Sequence, residues 1–175
     1  MNSDAHRFEE LVVPHLDAAY NLARWLTGNE SAAQDVVQDS CLRALGAIAR
    51  FDGGNPRAWL LTIVRNQSYT WIKKVAGERF VDLDDTQGLG EDDQVHLSHW
   101  ETPEVWMSRT QDRERLVHAL DALRPPFREV IVLKELEDLS YKEIALVVGT
   151  PLGTVMSRLA RGREMLRARL LECDE

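Results

Sequence analysis

The sequence predicts an all-α protein of two small helical domains, an N-terminal helical bundle and a C-terminal helix-turn-helix domain, joined by an acidic flexible linker. Three observations support this. Apolar residues recur at intervals of three and four through most of the 175 residues, the period of a helix with one buried side. Neither strand-like alternation nor a hairpin turn signal occurs. The periodicity is lost over residues 75–105, where VDLDDTQGLGEDDQVHLSHWETPE is acidic and lacks a continuous apolar stripe. The expected boundaries are 1–78 for the first domain, 79–105 for the linker and 106–175 for the second domain.

Each element has a local reason. Phe8, Leu11 and Val12 open a helical pattern that Leu16, Ala19, Leu22, Ala23 and Leu26 continue. Pro14 splits or kinks it, since proline lacks a donor and clashes with the preceding turn. A helix from about Glu30 to Ala49 follows, with Ala33, Val37, Cys41, Leu45 and Ile48 inward and Asp35, Gln38, Asp39 and Arg43 on the other side. Phe51-Asp52-Gly53-Gly54-Asn55 reads as a loop. Asn55 caps and Pro56 opens a helix to about Lys74, with Leu60, Ile63, Val64, Gln67 and Trp71 along one side. Helical pattern resumes near Pro103, and Arg124-Pro125-Pro126 ends a stripe of Leu116, Ala119, Leu120 and Leu123. Phe127, Val130, Ile131 and Leu133 belong to the next helix, which ends near Glu137-Asp138.

Ser140 to Leu171 reads as two helices with a tight turn. Ser140 and Glu143 form a capping box ahead of Ile144, Ala145, Val147 and Val148. Gly149 permits the left-handed residue that ends the first helix. Thr150 can cap the second, with Pro151 at its first position. Val155, Leu159, Leu166 and Leu170 give that helix one apolar stripe, with Ser157 nearly opposite, Thr154 and Arg161 beside it and Arg158 on a flank. Gly153 to Leu171 holds five arginines and one acid. A polar, arginine-bearing face opposite a buried stripe suits a recognition helix in the major groove. A solvated amphipathic helix pair is the plainer alternative.

Charge and composition narrow the function. The net charge of −8 comes wholly from residues 81–108, which hold eight acids and no Lys or Arg. Residues 1–80 carry nine bases and nine acids, and residues 109–175 twelve of each, so local patterning counts rather than the total. Asn55 to Lys74 has four bases and no acids, with Trp59, Tyr69 and Trp71 interleaved. Such a surface can neutralise phosphate and stack on unpaired bases. Trp59 and Trp71 read equally as core residues. There is no run of about 18 apolar residues, so no membrane insertion is expected. The N-terminus lacks an apolar signal region, and Cys41 and Cys173 form no disulfide framework; both fit a cytoplasmic protein. No phosphate loop, nucleophile elbow or His-Glu metal motif appears. His96 and His99 lack ligand partners in sequence. Neither an enzyme nor a cofactor or metal is expected.

Four stretches in order carry a family resemblance: SAAQDVVQDSCLRAL (Ser31–Leu45), NPRAWLLTIVRNQSYTWIKK (Asn55–Lys74), the acidic VDLDD (Val81–Asp85) and LRPPFREVIVLKELEDLSYKEIALVVGTPLGTVMSRLARGREMLR (Leu123–Arg167). Together they resemble the extracytoplasmic-function, or group IV, sigma factors of bacterial RNA polymerase. The resemblance implies a region-2-like domain over 1–78 and a region-4-like domain over 106–175. It implies that Asp35, Gln38, Asp39 and Arg43 dock on core RNA polymerase. Asn66, Tyr69, Thr70, Lys73 and Lys74 would hold the melted minus-ten element of promoter DNA. Thr154, Ser157, Arg158 and Arg161 would read the minus-thirty-five element as duplex. The acidic linker would thread toward the active centre and RNA exit path, and an anti-sigma factor would control the protein. Met156 departs from the Lys or Arg common in the family, and Cys41 and Leu45 from bulky aromatics, a change expected in the core.

Two other readings remain open on sequence alone. One is a ligand-responsive or dimeric helix-turn-helix regulator that binds a palindrome without polymerase. The other is a partner-sequestering protein with a vestigial helix-turn-helix.

Overall fold

Among the residues that the computed structural model describes, 3–76 and 110–172, every regular element is a helix. The linker expected over 79–105, the helix start near Pro103 and the two histidines lie outside them. α1 (Ser3–Leu11) is followed by a 3₁₀ turn at Val13–His15 and α2 (Leu16–Thr27), so Pro14 does divide the first helix. α3 spans Glu30–Ala47, with a 3₁₀ turn at Ile48–Arg50. α4 spans Pro56–Ala76, and the Asn55 side chain accepts the Ala58 N–H at 3.1 Å as its cap. α5 (Thr110–Asp121), α6 (Pro125–Ile131), α7 (Tyr141–Val148) and α8 (Leu152–Glu172) make the second half.

α2, α3 and α4 pack together around Leu22, Ile48, Leu60, Leu61 and Val64, all without exposed surface. α6, α7 and α8 pack around Val130, Leu133, Ile144, Val155 and Leu159. The two groups form one contiguous core, because α4 also packs on α7 and α2 on α6. That position leaves α4 covered on several sides. Its buried residues are Ala58, Leu60, Leu61, Val64, Ser68 and Ile72, a broader set than one stripe, with Ile63, Gln67 and Trp71 only half-buried.

The inward face of α3 is turned from the one expected. Ala32, Ala33, Val36, Ser40, Ala44 and Ile48 are buried, whereas Leu45 is 43% exposed and Val37 and Cys41 are half-buried. Small residues every fourth position let α3 approach α2 and α4 closely, and that packing outweighs the greater hydrophobicity of Leu45. The Ser40 hydroxyl is satisfied by the Val36 carbonyl at 2.6 Å. The substitution at Leu45 therefore touches the surface and not the core.

α6 does not end as an ordinary helix. Val132–Leu136 continues it as a π-helical turn, and the Glu137 N–H reaches the Val132 carbonyl at 3.1 Å. Asp138 then adopts φ +50°, and the Leu139 N–H donates to the Leu133 carbonyl at 3.0 Å. Arg128, buried in the same helix, donates to the carbonyls of Leu120, Asp121, Leu123 and Trp25. One guanidinium thus occupies the free carbonyls at the end of α5 and ties them to α2.

In the helix-turn-helix the Ser140–Glu143 capping box is present in full, and Gly149 closes α7 at φ +71°. Thr150 does not cap α8. Its backbone N–H points back to the Ala145 carbonyl at 3.3 Å, completing the end of α7, and its hydroxyl is buried without a hydrogen-bond partner among the described residues. α8 starts one residue later than expected, at Leu152, and the Val155 N–H bonds the Pro151 carbonyl at 3.1 Å.

Two consequences are measurable. A Cβ on Gly162 would stand 2.9 Å from Ile131 Cδ1 and 3.5 Å from Phe127 Cβ, so α6 and α8 meet there without room for a branched side chain. Gly162→Val should cost about 1–3 kcal/mol in urea unfolding, and Gly162→Ala less, because the Ile131 tip can turn and alanine favours the helix. Hydrogen bonds from the Ser140 backbone, and then its side chain, hold Glu143 below the ordinary glutamate value of 4.5. A depressed folded-state pKa stabilises above the unfolded value and is lost as pH falls through the folded one. Glu143→Gln should therefore be less stable than the parent at pH 7, with the gap closing below the carboxylate range in urea melts run at both ends.

Candidate nucleic-acid interface

The thirteen residues singled out by sequence fall on three helices. Asp35, Gln38, Asp39 and Arg43 are all exposed on α3, beside Leu42, which is 65% exposed, and Leu45. Sequence periodicity missed the two leucines because it assigned one inward and passed over the other. The result is an acidic and polar helix face with apolar side chains standing in it.

On α4 the five candidates divide. Asn66, Thr70, Lys73 and Lys74 are exposed along one side, with the Thr70 hydroxyl bonded to the Asn66 carbonyl at 2.9 Å. Tyr69 is turned away from them. Its hydroxyl oxygen is buried beside the Glu129 carboxylate. The Arg65 guanidinium stacks 4.4 Å above its ring, one helical turn back. Burial pushes the Tyr69 phenol far up, and the nearby Glu129 charge adds to this. Trp59 packs on Phe51 with centroids 4.9 Å apart, and Trp59 and Trp71 both lie against the core.

On α8, Arg161 is exposed and Thr154 and Ser157 are half-buried, the Ser157 hydroxyl donating to the Thr154 carbonyl at 3.1 Å. Arg158 departs from its expected outward placement. Its Nε is buried without a hydrogen bond, and its charge acts on both Glu129 and Tyr69. The reason is the fully buried carboxylate of Glu129 on α6, a counter-charge that sequence spacing could not place.

Glu129 is held mainly from the other half of the chain. Arg65 Nε donates to its Oε2 at 2.7 Å and Nη2 to its Oε1 at 3.0 Å, a two-point pair. Burial raises the Glu129 pKa, and Arg65 opposes that rise. The reciprocal effect of Glu129 raises Arg65 against its own burial. Close by, Glu137 accepts from Arg57 Nη2 at 2.8 Å and from Asn21 Nδ2 at 3.2 Å. Asn55 and Glu143, caps of α4 and α7, are bonded to each other. Arg163 pairs with Glu135 within the second half. The arrangement brings Tyr69 and Arg158 together at one carboxylate and leaves Asn66, Thr70, Lys73, Lys74 and Arg161 outside.

No cluster of His, Cys, Asp or Glu able to hold a metal occurs among the described residues, and none of their helices is long and apolar enough to cross a membrane. What the surface offers is two helices, α4 and α8, each with bases along an exposed side.

Comparison with known proteins agrees with this layout. Sigma-70 region 2 matches residues 11–77, and Sigma-70 region 4 matches residues 113–166. The chain is 34% identical over 160 residues to the ECF RNA polymerase sigma factor SigE of Mycolicibacterium smegmatis, covering 91% of this chain and 60% of that protein. It is 31% identical over 170 residues to the ECF RNA polymerase sigma factor SigW of Bacillus subtilis, covering 95% and 90%. The sigma factor RpoE of Bartonella quintana, solved with the anti-sigma factor NepR, has a TM-score of 0.69 at 29% identity, covering 96% of this chain and 98% of that one. With both regions matched in order and a relative aligned along nearly its whole length, the chain belongs to the extracytoplasmic-function sigma factors, which direct bacterial RNA polymerase to promoters.

Proposed function

We propose that this sigma factor acts by three contacts and no catalysis of its own. α3 docks on core RNA polymerase in the cytoplasm, with Asp35, Gln38, Asp39 and Arg43 as polar contacts and Leu42 and Leu45 as apolar ones. Asn66, Thr70, Lys73 and Lys74 hold the melted minus-ten strand, joined by Tyr69. Thr154, Ser157, Arg158 and Arg161 read the minus-thirty-five duplex. The acidic linker runs toward the active centre and RNA exit path. An anti-sigma factor keeps the chain inactive, as the complex of the Bartonella relative suggests.

The observation that carries this reading is the placement of two basic helix faces, α4 and α8, on the two matched regions of one chain. It has a geometric corollary. Tyr69 and Arg158 meet at Glu129, so neither can reach DNA while α4 stays packed on α7 and Arg65 stays paired with Glu129. Promoter engagement through them requires the two halves to part. The Arg158 Nε, buried there without a hydrogen bond among the described residues, lowers the stability of the packed state.

Transcription in vitro with purified core polymerase and a genomic promoter library tests the assignment. Promoter-specific transcripts should require both proteins. Silence with core enzyme, together with protection of a palindrome by the protein alone, would sink it. In the same assay Arg161→Ala should lower promoter affinity by about 1–3 kcal/mol. Arg65→Ala leaves Glu129 buried without its partner, which costs about 3–5 kcal/mol in such pairs. Its expected signature is a larger radius of gyration by small-angle scattering, since parting the halves rehydrates the carboxylate.

A further inference from the structure

The first turns of α8 present a surface that no other described residue covers. Leu152 is 40% exposed and Met156 46% exposed, and the two lie one turn apart on one face. Gly153 sits beside them. Its backbone is ordinary helix, and a Cβ added there would meet nothing within 4 Å. Among the described residues neither conformation nor packing calls for glycine at this position, and glycine is a poorer helix residue than alanine. A surface that must be approached closely from outside is what remains to account for it.

The polar residues of this stretch are turned elsewhere. Ser157 bonds its own helix, and Arg158 faces Glu129. Positive charge on the open side begins with Arg161, and the helix as a whole carries five arginines against one acid from Gly153 to Leu171. At about 100° per residue Gly153 lies between Met156 and Arg161 around the helix, so the apolar pair borders the exposed side on which Arg161 stands.

A recognition helix meets base edges with its N-terminal residues. The apolar group on a base edge in the major groove is the C5-methyl of thymine. We propose that Leu152 and Met156 read thymine methyl groups in the upstream promoter element, with Gly153 letting the helix backbone lie close in the groove. This rests on the assignment of α8 as the duplex-reading helix and adds which base it selects. A thymine methyl fills against an apolar side chain. A cytosine in its place presents an amino donor that Leu152 or Met156 cannot satisfy, so it is rejected.

The test uses holoenzyme assembled from core polymerase and the full chain. A promoter is first selected from a library randomised across the upstream element. Each thymine there is then replaced by deoxyuridine, which removes the methyl group alone. One or two replacements should weaken wild-type binding about three- to five-fold, the scale of one buried methyl. Leu152→Ala and Met156→Ala holoenzymes should bind the parent promoter more weakly and lose their sensitivity at one replaced position each. Wild-type indifference to every replacement overturns the proposal, as does equal sensitivity in wild type and both variants. Loss of polymerase binding by Met156→Ala with thymine sensitivity intact also overturns it and makes the patch a protein contact. Arg161→Ala separates the two levels. If it weakens the promoter while the replacements are silent, only the methyl reading fails. If it is silent as well, α8 does not read duplex at all.

Discussion

Glu129 has no surface in contact with water, and its charge is balanced mainly by a guanidinium from the other half of the chain. An isolated buried carboxylate is costly, and a two-point Arg partner offsets much of that cost only while the geometry holds. The geometry of α4 on the second half is therefore sensitive to this one pair. Glu137 with Arg57 and Asn21, and the joined caps Asn55 and Glu143, reinforce the same contact with side chains that are less buried. Apolar packing holds each half and continues between them, and the polar pairs fix the geometry in which the halves meet. Buried pairs of this kind confer geometry more readily than net stability, which suits the parting of the halves proposed for promoter engagement.

The inward placement of Tyr69 and Arg158 follows from that pair. Each belongs to a different one of the two helices proposed to face DNA, and each lies at the charge that Arg65 holds in place. The exposed candidates on α4 and α8 remain outside it. The surface on view thus contains part of each proposed DNA contact, and the completing residues lie in the contact between the halves. Cys41 stands apart from this arrangement. Burial pushes its thiol up, which disfavours the reactive thiolate.

Features written in a few adjacent residues were legible in the sequence. The Ser140–Glu143 box, the Gly149 stop, the Asn55 cap and the division at Pro14 each depend on local chemistry, and each is where it was expected. The family and its two regions were legible too, because several such motifs stand in order. Features that depend on a neighbour were not. The face α3 turns inward is chosen by how closely small residues let helices approach, so Leu45 lies outside. Arg158 looked like a solvent-facing flank residue, and only the fold brings Glu129 beneath it. Arg128 gave no sign of binding four carbonyls, since those carbonyls come from two separate segments, the end of α5 and α2. Thr150 looked like a cap because nothing local shows that its N–H belongs to the preceding helix.

The π-helical turn at Val132–Leu136 gives chain length a meaning that composition does not. One residue beyond the ordinary helical count rotates the downstream chain by about 100°. That rotation brings Glu137 to Arg57 and Asn21 while Glu135 remains with Arg163 in its own half. Deletion of a single residue there would restore a plain helix and swing Glu137 off its partners, with the capping box and α8 left to form by their own local rules. Insertions and deletions at this turn would thus tune how firmly the halves adhere without altering any residue proposed to touch DNA. Length at one turn would then be a heritable setting for how firmly the halves are held together.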